Sequence, residues 1–221
     1  MRIVEPSFEI LNISSNEMLE LIEVAGRTCY KSEDSISEDS AKDFCRKILK
    51  RGHESVIEHA VLTVRIICDR GVSHEIVRHR IASYSQESTR YCNYGKDEHI
   101  TFIKPCFFPN IVCKEYINID DLDLTNFHVS EQESLWLYAM DASEHFYNKL
   151  IQRKCSPQEA RSVLPNSLKT EIVMTCNLRE WRHFFKLRTS KSAHPQMREI
   201  ARPMLEEFKM KIPVLFDDIN Y

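Results

Sequence analysis

Residues 78–91 read RHRIASYSQESTRY and set Arg78, His79, Arg80 and Arg90 among Ser83, Ser85, Gln86, Ser88, Thr89 and Tyr91. Ile81 and Ala82 are the main apolar residues of the stretch. Three guanidiniums this close repel one another, and an anion between them relieves the repulsion. The planar fork of arginine grips phosphate or carboxylate through paired, charge-assisted hydrogen bonds. The hydroxyls and the amide add neutral donors and acceptors, so the string suits a nucleotide pocket. If residues 72–80 are helical, successive side chains turn by about 100°. Arg78, His79 and Arg80 then point three ways, which calls for an extended polyanionic ligand or for two ligands. An internal Glu75–Arg78 pair is the structural alternative.

A second polar cluster lies downstream: Arg161, Asn177, Arg179, Arg182, His183 and Arg188. On a helix, Arg179 and His183 share a face, Arg188 emerges roughly opposite, and Phe184 and Leu187 pack inward. A solvated surface helix is the plain alternative. HESVIEH, residues 53–59, lacks the HExxH spacing of a zinc protease. His59 reads as a satisfied core or capping histidine and His53 as a ligand candidate; no metal site is expected. Ser88 has no Gly-x-Ser-x-Gly elbow around it, and its hydroxyl is assigned to hydrogen bonding.

Composition narrows the classes. The 30 basic and 33 acidic residues give a net charge of -3, against a general nucleic-acid binder, which needs a basic excess. The 8 cysteines are scattered without a CxxC pair and read as reduced thiols, mostly core fillers. With only 4 glycines, neither GxGxxG nor a P-loop can be built, so any phosphate must be held mainly by side chains. No apolar run is long enough for a membrane span, and the N-terminus has no signal-peptide core. A cytoplasmic protein is expected, without membrane attachment.

These residues need elements to position them. Residues 2–13 alternate as a strand. Residues 16–30 follow helical spacing through Met18, Leu21, Ile22 and Ala25. A second helix, capped near Ser37, runs to about Lys50 with Phe44, Ile48 and Leu49 inward, and Gly52 ends it. Residues 60–69 and 169–178 are strands, 98–103 a weaker one, and 72–80 a short helix. Residues 105–130 are irregular. A long helix spans Ser130–Arg153, with Leu135, Leu137, Tyr138, Met140, Ala142 and Phe146 available to the core. Helices follow from Pro157 to about Leu164, over 179–188, and over 194–212 despite Pro203. The expectation is one α+β domain over residues 1–221, with a central, mainly antiparallel sheet flanked by helices.

Taken together, the motifs resemble those of the flavin-dependent thymidylate synthases. Arg78, His79, Arg80, Ser83, Ser88, Arg90 and Tyr91 match the signature RHRxxSxxxxSxRY. GHESVIEH resembles the family's upstream histidine segment. RSVLP, CNLREWRHFFKLR and SAHPQMREIA resemble its C-terminal half. The resemblance implies reductive methylation of dUMP to dTMP, with methylenetetrahydrofolate as carbon donor and NADPH-reduced FAD as hydride source. It also implies a homotetramer whose active sites are shared between subunits. By position, Ser55, Arg78, His79, Arg80, Asn177, Leu178, Arg179 and His183 would hold FAD, with His53 and His194 as further neighbours. Gln86, Glu87, Ser88, Thr89, Arg90 and Arg161 would hold dUMP, with Glu75, Ile76, Val77 and Arg78 nearby and Gln86 bordering both ligands. Arg188 would face the uracil and stabilise its N3-deprotonated form, activating C5. Ser85 stands where asparagine is common, Gln86 where glutamate is common, and His183 where asparagine also occurs. Other readings are a non-catalytic nucleotide- or RNA-binding protein and a metal-dependent hydrolase, which lacks ligand spacing.

Overall fold

The computed structural model describes residues 1–96, 99–116 and 129–221. The opening strand forms as two, β1 (Arg2–Val4) and β2 (Ser7–Asn12). The break falls at Glu5-Pro6, where proline offers no N–H to a ladder. Helices α1 (Ser15–Thr28) and α2 (Ser40–Lys50) follow, and Gly52, at φ +71, ends the second as the sequence suggests. Next come β3 (Val61–Asp69), α3 (Arg70–Ile76), β4 (Ser83–Gln86) and β5 (Thr101–Ile103). The chain continues through α4 (Glu131–Gln152), α5 (Pro157–Ala160), β6 (Lys169–Asn177), α6 (Leu178–Arg188), α7 (Pro195–Lys211) and α8 (Pro213–Phe216). The fold is α+β: a four-stranded, mainly antiparallel sheet in the order β2-β3-β6-β4, with a small parallel pair of β1 and β5.

Packing divides the chain into two compact units. The first comprises residues 1–7, 66–77 and 85–172. Its core gathers Ile3, Phe102, Tyr116, Leu137, Met140, Tyr147 and Leu168. α4 starts at a capping box in which Ser130 and Glu133 satisfy each other's backbone N–H. The second unit comprises residues 8–65, 78–84 and 173–221. Its core is aromatic: Trp181 packs on Phe184, Phe185 and Phe208, and Phe216 closes on Phe185 and Phe208. The Trp181 indole N–H donates to Leu62 O at 3.0 Å, so the largest buried ring carries no unmet donor.

Several expectations change. α3 stops at Ile76, so Arg78, His79 and Arg80 are not helical, and burial alternates along them: exposed, buried, exposed. β4 was not expected, because its SYSQ sequence has no apolar alternation. α1 buries Leu19, Ile22, Glu23 and Gly26 rather than the face through Met18 and Leu21. α2 begins at Ser40 with Asp39 as N-cap, not at Ser37, and buries Cys45 beside Ile48 while Phe44 and Leu49 are half-buried. On α4 the core face is Leu137, Met140 and Tyr147, while Leu135, Tyr138, Ala142 and Phe146 are exposed. Leu187 and His59 are exposed as well, so neither packs in the core. Of the cysteines only Cys45, Cys68 and Cys176 are buried; burial first, then Glu23, pushes the Cys45 thiol up to about 12. The strand expected over 98–103 forms as β5, with residue 98 outside the described residues. Within the irregular 105–130 stretch, residues 117–128 likewise lie outside them.

Candidate functional site

In the second unit the chemistry gathers around one imidazole. Asn177 caps α6, its Oδ1 accepting the Glu180 N–H at 2.9 Å. This cap sets the first turn, and the helix then carries Glu180, His183 and Arg188 toward His79. The Arg188 Nε–H donates to His79 Nε2 at 3.1 Å, and His79 Nδ1 lies 2.9 Å from Glu180 Oε1. The His183 ring meets the His79 ring edge-on at 5.6 Å, and Phe184 backs it at 5.0 Å. The Tyr84 hydroxyl donates to the His79 carbonyl at 2.6 Å, so β4 anchors the backbone there. Arg188 thus reaches the same imidazole as His183, although spacing from Arg179 placed it on the opposite side.

Burial lowers the His79 pKa from its ordinary 6.5. The hydrogen bond and charge of Glu180 oppose this shift, and the charges of Arg188 and His183 reinforce it. The ring is therefore neutral near pH 7. Burial likewise pushes the Tyr84 phenol upward, leaving it a donor. His79, Glu180 and His183 bring potential ligand atoms within 4.8 Å of one another. Both His79 nitrogens are already engaged, so this trio reads as a hydrogen-bonded cluster.

A cleft of about 470 Å3 lies beside it, lined by Glu54, Glu58, Ile81, Asn177, Arg179, Glu180, His183 and Lys186. Arg179 is half-exposed and paired with Glu58, with Glu54 at 3.9 Å. Leu178 is buried and its N–H donates to Ala60 O, so it anchors α6. His53 and Ser55 are exposed around the turn that carries Glu54 and Glu58. His194 is exposed at the N-cap position of α7, and Arg78 and Arg80 are exposed. Arg182 serves another purpose. Its side chain is 3% exposed, bonds both Asp218 oxygens, at 2.7 and 2.6 Å, and donates to Leu215 O. Burial works against its charge, but Asp218 and Glu54 outweigh burial and raise its pKa. It fastens the C-terminal segment rather than a ligand.

In the first unit, residues 86–90 form a polar corner. Gln86 Nε2 donates to Ser73 Oγ at 2.9 Å and to Thr170 Oγ1 at 3.3 Å. The Glu87 carboxylate is held by the Tyr94 hydroxyl and the Lys169 ammonium. Arg161 Nη1 donates to Thr89 Oγ1 at 3.2 Å, and Arg90 Nε donates to Gln158 Oε1 at 3.2 Å. The Ser88 hydroxyl accepts the Arg90 N–H at 3.3 Å. Among the described residues, neither guanidinium has a carboxylate partner. Arg90 and Arg161, exposed on this corner with the Ser88 and Thr89 hydroxyls on the same short segment, have the chemistry of an anion cradle. Glu75 and Ile76 end α3, half-buried and buried, and Val77 follows exposed. Sequence reasoning missed Glu180, Tyr84 and Gln158; an Asn177 cap with an acid three residues on was the one available signal for Glu180.

A family model described as thymidylate synthase complementing protein matches residues 11–214. The chain belongs to this family. A flavin-dependent thymidylate synthase of Corynebacterium efficiens is 34% identical over 90% of this chain and 79% of its own length. One from Pyrococcus furiosus is 37% identical over 90% of this chain and 73% of its own. Among solved structures, the UMP/dUMP methylase PolB of Streptomyces cacaoi, crystallised with 5-Br dUMP, covers 98% of this chain and 96% of its own at a TM-score of 0.73. At 23% identity that likeness concerns the fold. As a thymidylate synthase complementing protein, this chain keeps its motif residues in two structural settings: the His79 cluster with its cleft, and the Ser88–Arg90 corner.

Proposed function

We propose that the protein is a flavin-dependent thymidylate synthase, methylating dUMP to dTMP with 5,10-methylenetetrahydrofolate as carbon donor and NADPH as reductant through bound FAD. The observation that carries this reading is the candidate anion cradle, where among the described residues Arg90 and Arg161 have no carboxylate partner and Arg161 meets the Thr89 hydroxyl. It suits the phosphate of a nucleotide. The family match and its relatives' names support the reaction class.

The cleft residues fit a flavin. Asn177 and His183 offer hydrogen bonds, Ile81 an apolar wall, and Arg179 and Lys186 cations for a pyrophosphate. Arg78, His79 and Arg80 lie in the same unit, with His53, Ser55 and His194 as outer neighbours. When bound, the flavin supplies the hydride. The guanidinium of Arg188 stabilises negative charge developing on the uracil. Gln86 orients the nucleotide, and Ser88 and Thr89 complete the phosphate cradle.

We further read residues 1–221 as one functional domain, since the family match spans most of them. The assembly is a homotetramer with shared active sites, a reading supported by the exposed apolar stripe Leu135, Tyr138 and Phe146 on α4. Thiols outside any disulfide among the described residues fit a reducing cytoplasm. No described helix is long and apolar enough to cross a membrane. The test is direct: purified protein should show flavin absorbance, and reduced deuterated flavin should pass deuterium into the dTMP methyl group. A colourless protein that takes up no flavin on titration would overturn the reading.

A further inference from the structure

We propose that Glu180 is a positioning residue which, through the imidazole of His79, holds the guanidinium of Arg188 in its working orientation. The chain of contacts is directional. Arg188 has no acceptor, so its Nε–H at 3.1 Å obliges His79 Nε2 to present a lone pair. A neutral imidazole with Nε2 unprotonated carries its proton on Nδ1, and that N–H donates to Glu180 Oε1 at 2.9 Å. Glu180 is therefore the group that, on the far side of the ring, stabilises the tautomer able to receive Arg188. Without an acceptor at Nδ1 this tautomer buries an unpaired N–H, which drives the ring toward the Nε2–H form that turns Arg188 away.

The surroundings make this relay rigid. Glu180 is 7% exposed and His79 4%, so water does not readily replace either partner. Phe184 and His183 confine the ring, Tyr84 holds its carbonyl, and the Asn177 cap fixes the Glu180 backbone. Arg188, at the last residue of α6, has its side chain directed by this contact. A guanidinium displaced by about 1 Å from a reacting ring costs on the order of 100-fold in rate.

The inference rests on the proposed role of Arg188, and two readouts separate the two. In the flavin-loaded enzyme, Glu180→Leu should lower kcat about 10- to 100-fold, leaving the bound flavin spectrum and the FAD dissociation constant within about threefold of the parent. Glu180→Gln, whose carbonyl still accepts the Nδ1–H, should stay within about threefold in kcat. Independently of activity, nitrogen-15 spectra of labelled histidine, assigned with His79→Gln, should show the Nδ1–H tautomer in the parent and in Glu180→Gln and its loss in Glu180→Leu. An unchanged tautomer in Glu180→Leu overturns the relay. Loss of the tautomer with kcat intact leaves the relay standing and overturns the role of Arg188. Equal loss of kcat in the Gln and Leu variants, with flavin binding lost in both, would reduce Glu180 to a structural residue.

Discussion

Replacement of Arg161 by alanine should weaken dUMP and spare deoxyuridine. The Arg161 guanidinium is exposed, and its hydrogen-bond partner is the neutral Thr89 hydroxyl at 3.2 Å. Its removal therefore strands no buried charge, and the fold should hardly register it. Exposed substitutions of this kind stay within about 0.5 kcal/mol, which for a chain of this size moves Tm by about 2 °C or less. A hydrogen bond to a charged group is worth about 1.5–3 kcal/mol, so losing the phosphate contact should raise the dUMP dissociation constant about 10- to 150-fold. Calorimetric titration of both ligands into parent and variant, with a thermal melt of each, reads all three quantities. Arg161→Lys should fall between, since the charge remains but the fork is lost. If dUMP and deoxyuridine weaken together, or neither weakens, the cradle does not hold phosphate.

Three further outcomes follow from the geometry. The folded His79 pKa lies below its ordinary 6.5, so its contribution to stability is fully present above that value and is lost as pH falls toward the depressed one. Glu180, Arg188, His183 and the Tyr84 hydroxyl face this histidine; the parent should lose more Tm between pH 7.5 and 5.5 than His79→Gln, and equal losses would count against a buried neutral imidazole. Glu58→Gln frees Arg179 from an exposed ion pair and should tighten FAD about two- to fivefold by fluorescence titration; weaker binding would show that Glu58 orients Arg179 instead. Trp181→Ala removes the centre of the aromatic core and should cost about 3–5 kcal/mol, lowering Tm by roughly 6–20 °C, while a drop of only a degree or two would refute the packing described.

What could be read from sequence depended on whether one periodicity excluded its rivals. β3 and β6 are β-branched runs bounded by polar residues, and both appear where spacing placed them. α4 was visible through its length and the Ser130–Glu133 box, but not its buried side: apolar residues surround the helix, so Leu135 and Phe146 looked as suited to the core as Leu137 and Met140. β4 was hidden because its own residues are polar, and what holds it is backbone pairing with β6. At the site, arginine-rich segments announced anion binding, yet composition could not tell a free guanidinium from a committed one. Arg182 and Arg161 look alike in sequence; one is locked to Asp218 and the other meets a threonine. Glu180 among arginines resembled an ordinary surface counter-charge, and only its distance to His79 gives it a role.

α6 explains why so much of this chemistry depends on packing. Trp181, Phe184 and Phe185 drive one side of the helix into the aromatic core, and Phe184 is also the residue that backs His79 at 5.0 Å. The relay from Glu180 to Arg188 is thus built on a surface whose position is set by close-packed rings, which resist displacement far more than a hydrogen-bonded loop does. The N-terminal end of the helix is pinned by Asn177 and its middle by Arg182 to Asp218. With two anchors and a packed side, the helix can neither slide nor rotate without breaking buried contacts. The site gains from this arrangement: a guanidinium at a helix end, ordinarily among the most mobile groups of a protein, meets an imidazole held by Glu180, Tyr84 and Phe184.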